Sequence, residues 1–91
     1  MNGERSNAKR TGARPMVVEG VTFHCYHVGI QRYEWRSEDG RLRVGRNFES
    51  PSFYAIINGR TVLGPDGRRA KRFHLLSTAM AAAVKLGMAS A

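Results

Sequence analysis

Cysteine is nearly absent: Cys25 is the only one in 91 residues, so no disulfide can close within the chain. A secreted domain of this size ordinarily depends on such staples, which points to a reducing interior and a cytoplasmic location. Long hydrophobic runs are missing too. The longest, at 79–84, falls well short of the ~20 apolar residues that span a bilayer, so no membrane partner is expected. Large apolar residues are scarce, with Leu, Ile, Val and Phe totalling 19. That is just above the level at which a charged chain stays disordered, so the core must be thin. Acidic residues number seven against fifteen Lys and Arg, giving a formal net charge of +8.

The charge is uneven along the chain. Residues 1–14 carry +3, 15–40 carry −2, 41–60 carry +3, 61–74 carry +3 and 75–91 carry +1. The first stretch has no hydrophobic segment that could act as a secretion signal and almost nothing to bury. It is expected to be a disordered basic tail, because nothing offsets the ~1–2 kcal/mol per residue of ordering its backbone. Residues 15–91 are expected to form a single domain.

From Val17 to Ser52 the hydrophobic pattern has period two. Val21, Phe23 and Cys25 alternate with Thr22, His24 and Tyr26, as in a half-buried strand. Gly29 interrupts as a turn or a bulge. Tyr33 and Trp35 alternate with Arg32, Glu34 and Arg36 in a second strand, and Asp39-Gly40 signals a hairpin turn into Leu42 and Val44. Phe53 to Ile57 is apolar on both faces and reads as a central strand. Asn58-Gly59 turns the chain back through Arg60 to Leu63, and Gly64-Pro65-Asp66-Gly67 closes that hairpin before a basic connector. After Phe73 the period changes: Leu76, Ala79, Met80, Ala83 and Val84 form one helical stripe, and Gly87 reads as its C-terminal stop. The predicted architecture is α+β, an antiparallel meander of four or five strands packed by one C-terminal helix.

The order Trp35-Arg36, Asp39-Gly40-Arg41, 54–60, Phe73 and 79–83 resembles small bacterial proteins of a strand-rich, helix-last type. It is also similar in outline to the AP2/integrase-type DNA-binding domain. The resemblance covers roughly residues 30–84. It implies a sheet that reads DNA through Arg and Trp, with Trp35, Arg41, Arg43 and Arg60 on the sheet and Phe73 and Ala79 in the core. The basic insert at 64–72 and the extra strand at 17–28 depart from the family's pattern.

Two basic clusters are the candidate nucleic-acid contacts. Arg41, Arg43 and Arg46 lie on or near one strand, and Arg68, Arg69, Lys71 and Arg72 lie in the connector, with Arg60 between them. The planar guanidinium fork donates two hydrogen bonds to one phosphate. Tyr33, Trp35 and Tyr54 add stacking surfaces if they share a face with these arginines. The alternative makes Tyr33 and Trp35 core residues and the arginines a solvated face paired with Glu34, Glu38 and Asp39. His24, Cys25, His27 and His74 are potential zinc ligands, but a strand turns His24 away from Cys25 and His27, and no paired ligand spacing supports a site. Glu38 and Asp39 sit at a water-exposed turn, no nucleophile or phosphate-loop motif is present, and so thin a chain leaves little room for a 300 Å3-class cleft. The expected function is a non-enzymatic binding domain, without cofactor or metal, whose partner is nucleic acid or an acidic protein. The alternative is a protein-interaction or oligomerisation module using the alanine-rich helix.

Overall fold

Turn chemistry and period-two alternation divide the first two thirds of the chain into strands. The computed structural model describes residues 8–29, 32–46 and 51–89. It contains β1 (Ala8–Arg10), β2 (Met16–Val18), β3 (Val21–Val28), β4 (Arg32–Ser37), β5 (Leu42–Arg46), β6 (Phe53–Ile57), β7 (Arg60–Thr61) and α1 (Leu76–Ala89). The strands form one antiparallel sheet in the order β1-β3-β4-β5-β6-β7, with β2 also on β3. The α+β meander with a C-terminal helix is therefore the observed architecture, and it has more strands than the four or five expected.

One additional strand, β1, comes from the segment read as a tail, and the other, β2, lies just after it. Ala8–Arg10 pairs with β3 opposite Tyr26, His27 and Val28, and the Thr11 amide donates to the Cys25 carbonyl at 3.0 Å. β1 and β2 run along the same side of β3, interrupted at 11–15, where Pro15 has no amide to donate. The tail expectation is thus corrected for residues 8–11, while 1–7 lie outside the described residues. The reason is backbone chemistry. The eight-residue β3 would otherwise present a row of unpaired N–H and C=O groups, and any extended segment can pair with them whatever its side chains.

The hairpin at Asn58-Gly59 forms as its sequence implies, with φ of 51° and 80° at the two residues. Such left-handed pairs match the twist of the flanking strands. β6 has β5 on one side and β7 on the other, so it is an interior strand as expected. Beyond β7 the connector folds back as an edge hairpin. Leu63 bridges Ala70, Phe73 bridges Phe53, and Gly67 donates to the Gly64 carbonyl.

α1 packs on β5 and β6 through Ala79, Met80, Ala83 and Val84, all at most 2% exposed. Two alanines in this stripe let the helix axis approach the sheet. Phe23, Leu42, Val44, Ala55, Ile57 and Phe73 complete the core beneath it. Gly87 is not the helix stop that its sequence context suggests, since the helix continues to Ala89. A Cβ at Gly87 would lie 2.7 Å from Leu42 Cδ2, so glycine is used here for close approach. Exchanging Gly for Ala within a helix ordinarily gains about 1 kcal/mol. Gly87→Ala is expected to forfeit that gain and lower the melting temperature, because Leu42 must give way inside the packed core. A melting temperature raised by the substitution would contradict this reading.

Candidate nucleic-acid interface

Cross-strand partners project to the same face of a sheet, so the register sorts every side chain. Trp35 pairs with Cys25 and Val44, and Val44 pairs with Ala55 beneath α1. Tyr33 and Trp35 therefore lie on the helix side of the sheet. Trp35 is half-buried, its ring edge-on to Phe53 at 6.0 Å, and Tyr33 meets the His27 ring at 5.3 Å. Neither can stack with a ligand held by Arg43, which lies on the opposite face. The alternative that made both residues core describes Trp35, whereas Tyr33 is 45% exposed and lies outside the core.

The opposite face carries a different set. Arg10 pairs with Tyr26, Tyr26 with Glu34, Glu34 with Gly45, and Gly45 with Tyr54. In the adjacent row His24 pairs with Arg36, Arg36 with Arg43, and Arg43 with Ile56, while Arg32 pairs with Val28 at the end of β4. α1 covers the other side, and no element among the described residues packs over this one. Four guanidiniums, from Arg10, Arg32, Arg36 and Arg43, thus share one face with Tyr26 and Tyr54.

Glu34 sits at the centre of that face and is only 6% exposed. A carboxylate so placed needs a charged partner. Arg36 Nε donates to Glu34 Oε1 at 2.6 Å, and Arg43 Nη1 stands 3.9 Å from the same oxygen. The Arg36 guanidinium also lies over the Tyr26 ring, 4.9 Å from its centroid. The Tyr54 ring crosses Gly45 so closely that a Cβ there would stand 2.5 Å from it. Glycine therefore gives Tyr54 its place on the sheet. At the β1 edge His24 bridges Arg10, through Nδ1, and Glu38, through Nε2 at 3.3 Å.

The eight basic residues singled out from the sequence do not converge. Arg43 lies on the uncovered face. Arg41 donates through Nε to Asn58 Oδ1 at 3.0 Å and through Nη2 to the Gly87 carbonyl at 3.3 Å. It acts at the C-terminal end of α1, where a cation suits the helix dipole. Arg60 opens β7 opposite Ile57 and lines a surface depression with Leu86 of the same helix. Arg46 pairs with Phe53, so it is directed to the helix side. Arg68, Arg69, Lys71 and Arg72 line the edge hairpin, with Lys71 Nζ 5.6 Å from the Phe73 ring centroid. Arg10, Arg32, Arg36 and Tyr26 were missed. The alternation of Arg32, Glu34 and Arg36 was visible, but which face it served required the register.

Two carboxylates are held below the usual value of 3.8. Asp39 is lowered by the Ser37 hydroxyl and then the Arg41 amide, and Asp66 by the Arg68 and Arg69 amides. Both act as turn locks. Asp39 also borders an open depression of about 360 Å3 between the β4–β5 turn, Gly20–Thr22 and the end of α1. That volume exceeds the room expected from chain length. Its charged groups are engaged, however: Asp39 with Ser37, Glu38 with His24, and Arg41 with Asn58. Among the described residues no three of His, Cys, Asp and Glu come together, and no helix is long and apolar enough to cross a membrane.

Fold and surface together define a class: an antiparallel sheet with one face sealed by a helix and the other lined with arginine and tyrosine. No family model, curated protein or solved structure matches the chain.

Proposed function

We propose that this protein is a non-enzymatic nucleic-acid-binding domain whose contact surface is the uncovered sheet face. The observation that carries the reading is the co-location of Arg10, Arg32, Arg36 and Arg43 on the face opposite α1. Two acids, Glu34 and Glu38, share that face, but Glu34 is buried against Arg36 and Glu38 bonds to His24. Arg10, Arg32 and Arg43 remain the outward charge. Arg68, Arg69, Lys71 and Arg72 add positive potential at the sheet's edge, which steers a polyanion at low salt.

An NMR titration with short oligonucleotides at 50 mM salt tests the proposal. Amide and guanidinium shifts are expected in β1, β4 and β5, with α1 unchanged. Shifts confined to α1, or none, count against it. A second reading, a protein-interaction module, draws on the exposed Leu75 and Met88 at the two ends of α1. A mass that rises with concentration in light scattering, without response to nucleic acid, would select that reading.

A further inference from the structure

We infer that the nucleic acid taken by this face is single-stranded, with unpaired bases stacking on Tyr26–Arg36 and on Tyr54. The inference rests on the nucleic-acid reading above and assigns its substrate class.

Three observations carry it. The first is width. The face's charged and aromatic groups run from Arg10 on β1 to Tyr54 on β6, across β3, β4 and β5. Four interstrand spacings of ~4.8 Å spread them over about 19 Å. The major groove of a duplex, at about 12 Å, admits a helix or a two-stranded ribbon but not such a face. The second is the pairing of ring and guanidinium. Arg36 lies over Tyr26, and the two planar groups together form a platform of the kind on which unpaired bases stack. In a duplex the base faces are hidden and such a platform has nothing to receive.

The third is the placement of Tyr54. Gly45 carries no Cβ, and the half-buried Tyr54 ring crosses the strand at that point. Any larger residue at position 45 would push the ring away. Tyr26 on β3 and Tyr54 on β6 flank the cross-strand pair Arg36–Arg43. Phosphates of a strand lying from β3 to β6 would meet Arg43, with Arg36 held in the Tyr26 platform, while its bases reach the rings at either side. Stacking tolerates every base, so little sequence preference is expected.

The full chain is titrated at 50 mM salt with a labelled single strand of mixed sequence and with the blunt duplex of the same sequence, by fluorescence anisotropy. The single strand is expected to bind at least tenfold more tightly. Tyr54→Ala is expected to weaken single-strand binding roughly 5- to 150-fold, the range for loss of one stacked base, with duplex binding unchanged. Tyr54→Phe keeps the ring and should bind as the parent does. Because Tyr54→Ala could disturb packing over Gly45, ring-proton shifts of Tyr26 and Tyr54 in the unmodified chain give a second readout. Upfield movement with the single strand alone supports stacking. Equal or tighter duplex binding, or rings that do not respond, overturns the single-strand assignment and leaves the nucleic-acid reading standing. Absence of binding to either oligonucleotide overturns both.

Discussion

Replacing Phe23 with alanine lowers the stability of this domain by about 3–5 kcal/mol, the usual cost of deleting a fully buried aromatic ring. Phe23 has no exposed surface and belongs to the same core cluster as Met80, Val44 and Val84. The loss combines the transfer of the ring's apolar surface with the cavity left behind, which a sheet residue held by β2 and β4 can close only in part. A domain of this length has a total stability of roughly 5–10 kcal/mol, so the substitution removes a large share of it. Urea denaturation followed by Trp35 fluorescence measures the change, since Trp35 packs against Phe53 only in the folded sheet. Val17→Ala is the matched control. Val17 is 68% exposed on the uncovered face, and its truncation is expected to stay within about 0.5 kcal/mol. A Phe23→Ala variant as stable as that control would mean that the core is not built around this ring.

The second large effect is on binding. If Arg10, Arg32 and Arg43 each neutralise one phosphate, log affinity falls with log salt at a slope of about −0.7 per phosphate for a single strand. Affinity then drops roughly 20-fold between 50 and 200 mM salt, and roughly 40-fold if the slope is the −0.9 of duplex DNA. Arg32→Gln combined with Arg43→Gln removes two contacts and is expected to cut the slope to about a third. Arg36 is spared in this variant because it neutralises the buried Glu34, and its loss would mix folding with binding. Arg41→Gln should leave the slope unchanged, because Arg41 is occupied by Asn58 and the Gly87 carbonyl. Salt-independent binding, or a slope that follows Arg41 rather than Arg32 and Arg43, would rule out the sheet face as the phosphate site.

These two outcomes test different levels of what the sequence conveys. Phe23 was legible as a core residue because alternation within β3 places it with Val21 and Cys25 on one face. Met80 and Val84 were legible because a helical period aligns them with Leu76. The arginines were legible as a charge excess and, for Arg32 and Arg36, as one side of a strand, but not as a shared surface. Arg43 and Arg41 are two residues apart and share a strand parity, yet one faces open solvent across the sheet and the other reaches the end of α1. Trp35 and Arg36, adjacent in sequence, belong to opposite faces.

Local periodicity therefore determined the elements of this protein: where strands alternate, where Asn58-Gly59 turns, and which stripe of the helix is apolar. These follow from backbone geometry within a few residues. The tertiary structure alone decided three further things. It recruited Ala8–Arg10 to the edge of β3, it brought Gly87 against Leu42, and it gathered Arg10, Arg36, Arg43, Tyr26 and Tyr54 onto one surface. The physical reason is register. Alternation fixes the two sides of each strand but not which side of one strand joins which side of the next, and a slip of one residue exchanges the faces. The helix settles that choice by sealing the apolar face, and the face left open follows from it.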